Sequence, residues 1–271
     1  MLQYEFMQKA FLVGILLSVI IPCIGMVIVL KRLSMIGDAL SHTSLAGVTA
    51  GLVFNINPIL SATVFCIAAA LGVEAVRKKF PKYAEISVSI IMSLGIGLAA
   101  VFSSFVTSSA NINSFLFGSI VTIEDFELYM VVGVSVLVLL AFVLLYKELF
   151  YIAFNERAAE MSGVPVKLVN FIFTLLTAVT VAVAARTVGA LIVSSLMVIP
   201  TACAMQFEKS YKTTLLLSVG FGFVFVIGGI SAAYAAGIQT GGAIVIIGVA
   251  TLILILAVKA VIRKISRCKN A

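Results

Sequence analysis

Charge, histidine and cysteine are what this sequence has least of. Of its 271 residues only 11% are Asp, Glu, Lys or Arg, against about 25% in an ordinary soluble domain, so a water-soluble globule is excluded. One histidine is present and no tryptophan, and a single histidine rules out an HExxH metal-hydrolase motif. Neither a GxSxG nucleophile elbow nor a GxxxxGK[ST] phosphate loop occurs, so this chain lacks both the serine-hydrolase signature and its own P-loop for ATP. The two aspartates, Asp38 and Asp125, stand one inside an apolar block and one at the end of another. An intramembrane aspartate dyad would therefore lack its second member. The four cysteines, Cys23, Cys66, Cys203 and Cys268, are scattered and form no CxxC, which argues against a disulfide framework or thiolate metal site and for a reduced packing role.

What the chain has in abundance is apolar surface, at 62% of residues, gathered in blocks near 10–30, 36–54, 58–76, 86–106, 126–146, 166–185, 188–206, 213–236 and 240–262. About 20 residues of α-helix cross the roughly 30 Å hydrocarbon core of a bilayer. The expected fold is all-α, a polytopic transmembrane helical bundle of eight or nine spans. The second block is the weakest, because it carries polar residues. The first is too long for a signal-peptide core and lacks the small-residue cleavage pattern, so it reads as a mature span.

With the amino terminus outside, every Lys and Arg except Lys9 and Arg186 falls on an inside connection or the carboxyl-terminal end. This is a positive-inside asymmetry, and it puts the carboxyl terminus in the cytoplasm. It also accounts for the net charge of +7 without a nucleic acid, whose footprint would be a basic stripe on one face. Membrane lipid is the surrounding partner, and a multi-pass cell-membrane location follows.

The polar connections differ in character. Thr107 to Asn113, outside, is uncharged, and Glu124, Asp125 and Glu127 follow the short apolar stretch Phe115 to Ile123, which reads as a half-helix that does not cross. Three carboxylates there would attract cations to an acidic outer mouth, although such residues at a helix start are more often dipole-favourable caps. Inside, Phe154 to Gly163 reads as a short helix that Asn155 can cap and Gly163 can end, and by pattern alone it is a surface connector. Gly47 and Gly51 form a GxxxG pair, and Gly220, Gly222, Gly228 and Gly229 crowd a late block, which favours close helix packing. Pro200, inside a block, should bend it or free a carbonyl.

The segment that carries chemistry is Gly37 to Gly47, with Asp38 and the lone His42 inside an apolar block. Spaced i, i+4, they share a helix face. His42 lies ten residues beyond Arg32, roughly 15 Å of helix and near a bilayer midplane. An ionisable group there costs about 2.5–3.5 kcal/mol on insertion scales and usually marks an ion or substrate route. The bland reading is a packing lock in which Asp38 accepts a hydrogen bond from His42 or a neighbouring helix. Carboxylate plus imidazole suits Zn²⁺, Mn²⁺ or Fe²⁺, and the lack of thiolates argues against Cu⁺. Two copies meeting about a two-fold axis would supply four ligands.

These residues carry a resemblance. Lys31 to His42, the Phe115-Leu-Phe-Gly-Ser119 motif, Phe154 to Gly163, Val188 to Ala204 and Thr240 to Val245 resemble the permeases of the zinc/manganese/iron class of bacterial ABC importers, over nearly the whole chain. The resemblance implies a bundle of ABC-importer permease type, one permease domain over 1–271, and a homodimer joined by two cytoplasmic ABC ATPase subunits and fed by an extracytoplasmic metal-binding protein. It implies no intrinsic cofactor and no catalysis by this chain. Zn²⁺ or Mn²⁺, with Fe²⁺ as third candidate, is cargo, and ATP is used by the partner. Asp38 and His42 would line the route, and the 155–163 segment would be the coupling helix, with Asn155, Glu156, Ala159 and Gly163 docking the ATPase. That reverses the connector reading. Asn155 stands where the family pattern has aspartate, and Thr43 and Ala46 replace its alanine and proline after the histidine. A permease for a haem or siderophore chelate would need a wider cavity with fewer fixed ligands, and a secondary ion-coupled carrier would need several intramembrane acids.

Overall fold

A computed structural model describes residues 5–80, 83–106, 115–116, 118 and 125–269. Thr107 to Asn113, Lys82, Glu124 and most of the short stretch after Asn113 lie outside the described residues, as do the side chains of Lys264, Arg267, Cys268 and Lys269. The elements are helical throughout: α1 (Glu5–Leu30), α2 (Ile36–Val53), α3 (Pro58–Lys79), α4 (Ala84–Ser103), α5 (Asp125–Leu144), α6 (Tyr146–Phe154), α7 (Glu156–Met161), α8 (Val166–Ala184), a π-helical turn (Ala185–Gly189), α9 (Ala190–Met205), α10 (Tyr211–Ala236) and α11 (Thr240–Lys269).

Each apolar block of the sequence is one helix. Seven of them, α1, α3, α4, α5, α8, α10 and α11, are long and apolar enough to cross a membrane; α9 is apolar but shorter. The weak second block is α2, 18 residues and about 27 Å long. It lies against α3, α4, α8 and α9, so its serines and threonines, Ser41, Thr43, Ser44 and Thr49, face protein rather than lipid. α1 extends ahead of its apolar block to Glu5, and there Lys9 is neutralised by Glu5 at 2.8 Å and Asp125 at 2.7 Å. α3 starts at Pro58, with the Asn57 side chain accepting from the amides of Ile59 and Leu60, as a missing N–H at the first helical position favours.

Polar contacts between distant segments sort the helix ends into two layers. One joins the starts of α1 and α5, through Lys9 and Asp125, to the α8–α9 turn, through Arg186 and Glu127. The other joins the end of α1 (Lys31), the end of α3 (Arg77), α7 (Glu156) and the start of α8 (Asn170). Tyr211 at the start of α10 meets Phe150 of α6 edge to face with centroids 5.0 Å apart, and Lys259 of α11 donates to the Gln206 carbonyl at the end of α9. Both contacts belong to the second layer. Lys9 and Arg186 fall in the opposite layer from Lys31 and Arg77, as the reading of the basic residues expects.

Candidate functional site

α2 is held on three sides. A methyl added at Gly47 would sit 2.6 Å from the Ala62 Cα, so α2 and α3 touch backbone to backbone there. On α4, Gly95 brings its backbone against Thr43, leaving 2.6 Å between an added methyl and the hydroxyl oxygen. Gly37 lies against Ser194 of α9, with 3.2 Å to the Ser194 Cα. Small residues allow such approach, and without a hydrophobic drive inside lipid it is the main source of helix association. Thr43 and Thr49 turn their hydroxyls back onto the Ala39 and Leu45 carbonyls at 2.8 and 3.0 Å, which satisfies them within the helix.

The fourth side is open. From Ile36 to Gly51 every residue of α2 is buried except Asp38, His42 and Leu45, which are half-buried. Their i, i+4, i+7 spacing makes them a single stripe, continued below by the exposed Met35. Neither Asp38 nor His42 has a hydrogen-bonding or ionic partner among the described residues. The packing-lock reading of this pair therefore finds no support: the locking is done on the opposite faces by glycine contacts. Among the described residues no three His, Cys, Asp or Glu side chains gather, so one chain offers one carboxylate and one imidazole, half of a four-coordinate shell. The depth expected for His42 needs correction. Residues 31–35 form turns rather than helix, so the rise begins at Ile36 and His42 is about 9 Å along α2, with Asp38 in the first turn.

The short helix after Phe154 is present as α7. Asn155 caps it, its Oδ1 accepting from the Ala158 amide at 3.1 Å, and Gly163 ends it with φ +84°, a left-handed value that glycine adopts without a Cβ clash. Ala159 is buried against the bundle, and Glu156 is partly exposed while accepting from Asn170, whereas Met161 is 84% exposed beside the exposed Arg157 and Glu160. The four residues singled out from sequence are therefore a cap, a carboxylate bonded to Asn170, an anchor and a terminator. Asn155, Glu156 and Gly163 share the exposed surface of α7 with Arg157, Glu160 and Met161, which sequence reasoning passed over, and only Ala159 of the four is buried.

Also unanticipated is a polar chain beneath α7. The Lys31 ammonium donates to Asn170 Oδ1 at 2.6 Å, and Asn170 Nδ2 donates to Glu156 Oε1 at 2.7 Å. Arg77 lies 3.7 Å from Glu156 and 3.1 Å from Glu74. Lys31 also sits over the Phe173 ring, 5.6 Å from its centroid. Burial, with Arg77 adding to it, pushes the Lys31 ammonium down to about 8. Its charge had suggested topology alone. At the outer layer, Asp125 is paired with Lys9 and the buried Glu127 with Arg186, each at 2.7 Å. Among the described residues these acids hold helices together, so an acidic, cation-attracting mouth is not formed by them.

The ABC 3 transport family matches the sequence over residues 3–259. The chain is similar to the manganese transport system membrane protein MntC of Listeria monocytogenes, 32% identical over 258 residues that cover 95% of this chain and 91% of that protein. It is also similar to the high-affinity zinc uptake system membrane protein ZnuB of Buchnera aphidicola, 30% identical over 230 residues, covering 84% of this chain and 88% of that protein. Its fold is similar to a solved structure of PsaBC from Streptococcus pneumoniae in complex with Fab, with a TM-score of 0.83 at 24% identity over 93% of this chain and 91% of that one.

Proposed function

The chain belongs to the ABC 3 transport family, and from that premise we propose that it is the membrane permease subunit of an ATP-driven bacterial importer carrying a divalent metal ion, manganese or zinc, into the cytoplasm past Asp38 and His42. The observation that carries the residue assignment is the open stripe of α2, on which the only incompletely buried side chains between Ile36 and Gly51 are Asp38, His42 and Leu45. Membership of a family with manganese-system and zinc-system relatives supports the cargo class, and the oxygen–nitrogen donor pair suits either ion. ATP hydrolysis belongs to a separate ATPase.

The whole chain is read as one permease domain that works with a second copy. Two stripes facing each other would complete four donors, each weak enough alone for the ion to leave, as conduction requires. Two ATPase subunits dock at α7 through Arg157, Glu160 and Met161, with Asn155, Glu156, Ala159 and Gly163 fixing that helix, and an extracytoplasmic metal-binding protein delivers the ion. ATP binding and hydrolysis then move the permease between outward-open and inward-open states.

The test is reconstitution with the ATPase in liposomes, measuring ATP-dependent uptake of Mn²⁺, Zn²⁺, Fe²⁺ and, separately, haem. Asp38→Asn and His42→Ala, checked for normal insertion, should each lower metal uptake at least about tenfold, since losing even an outer partner of a metal ligand costs 10–100-fold. Undiminished uptake in both variants removes the route assignment, uptake without ATP removes the transport class, and uptake of haem in place of ions favours the chelate reading.

A further inference from the structure

We propose that Glu156, Asn170 and Lys31 form a relay that ties α7 to the turn leading into α2, so that movement imposed on α7 resets the helix bearing Asp38 and His42. The proposal rests on the reading of α7 as the ATPase-docking helix and adds to it the residues that carry the motion inward.

The relay is contiguous. Glu156 is in the first turn of α7, its Oε1 accepting from Asn170 Nδ2 at 2.7 Å. The other end of the same amide accepts from the Lys31 ammonium at 2.6 Å. Asn170 is buried, and its amide is used on both sides, so neither neighbour can shift without breaking a bond or dragging it along. Lys31 is the first residue after α1, and the turn that follows runs directly into α2, with Asp38 in its first helical turn. A half-buried ammonium held by one amide oxygen and an aromatic face is costly to leave unpartnered, which favours two discrete arrangements over a graded one. Arg77, between Glu156 and Glu74, fixes the rest position of the carboxylate against α3. The packed interior of α2 passes the displacement on: with glycine contacts on three sides, a shift at Ile36 moves the helix rather than bending it.

Spatial continuity alone does not establish coupling, so the test reads coupling itself. In the reconstituted transporter, ATP hydrolysis and metal uptake are measured on the same vesicles and expressed as ions moved per ATP. Asn170→Asp keeps an oxygen for Lys31 but replaces the donor facing Glu156 with a repelling oxygen. The expected result is an assembled complex that hydrolyses ATP while ions moved per ATP fall about fivefold to tenfold, the scale of coupling energies between linked sites. Adding Glu156→Gln returns an amide donor opposite the introduced carboxylate, and the ratio should recover most of the loss. An unchanged ratio in Asn170→Asp, a proportional fall of hydrolysis and uptake together, or no recovery in the double variant would overturn the relay.

A second measurement separates this failure from failure of the transport reading. Spin labels at the exposed Arg32 and Ser162 should report a nucleotide-dependent change in separation that disappears in Asn170→Asp and returns in the double variant. A wild-type complex that imports no metal refutes the functional reading. A separation equally responsive in wild type and Asn170→Asp refutes the relay whatever the cargo.

Discussion

At the scale of single residues, glycines and charge pairs have clear consequences. At Gly47 the neighbouring Ala62 backbone leaves no room for a methyl, so Gly47→Ala should part α2 from α3 and destabilise by about 1–3 kcal/mol, as overpacking generally does. Gly133, on an exposed face of α5 with nothing near an added methyl, should tolerate the same change and gain up to about 1 kcal/mol from helix propensity. Unfolding midpoints in detergent, compared pairwise, check both. Glu208 accepts from Lys259 at 2.8 Å and has Arg263 3.7 Å away. The Lys259 hydrogen bond, and then the charges of Lys259 and Arg263, lower its carboxyl below the usual range. A depressed carboxylate contributes stability above its ordinary pKa and loses it as pH falls through the depressed value. Amide exchange in 206–210 should therefore rise on acidification, and Lys259→Met should remove that dependence by exposing the segment at all pH values. An acid response identical in wild type and variant would count against the pair.

At the scale of elements, α7 is six residues long, too short to persist on propensity alone. It is held by the Asn155 cap, the buried Ala159 and the bond from Asn170 to Glu156. Asn155→Ala should cost about 0.5–2 kcal/mol of local stability, seen as faster amide exchange confined to 156–161 and weaker retention of the ATPase. Asn155→Asp, which keeps an acceptor and adds charge at the helix start, should retain the wild-type behaviour. Faster exchange spread over α8 as well would mean that the cap supports more than its own helix. α2 is the complementary case, an element too polar to stand in lipid that exists because α3, α4, α8 and α9 wrap it.

At the scale of the molecule, two layers of polar contacts fix which helix ends lie together, with Lys9 and Arg186 in one and Lys31 and Arg77 in the other. A single cysteine placed at the exposed Gln239, between α10 and α11, should react with a membrane-impermeant reagent in intact cells, whereas one at Lys212 should react only after permeabilisation. Equal labelling at both sites would reject this assignment of the two layers to opposite sides of the membrane. Much of this was legible beforehand. Span lengths, the basic residues at inside connections, the capping Asn155 and terminating Gly163, and the shared face of Asp38 and His42 all follow from local rules of period, charge and backbone conformation.

What the sequence by itself determined is therefore the class of molecule and the identity of its unusual side chains, because hydrophobic length and helical spacing are properties of contiguous residues. Only the tertiary structure decided which face of α2 stays open, that Asp125 and Glu127 are spent on Lys9 and Arg186, and that Lys31, Asn170 and Glu156 meet. Those contacts join residues as far apart as 139 positions, and no local period encodes which distant partner will satisfy a buried charge. That choice is made by how the helices pack, and Gly37, Gly47 and Gly95 set the packing that leaves Asp38 and His42 uncovered.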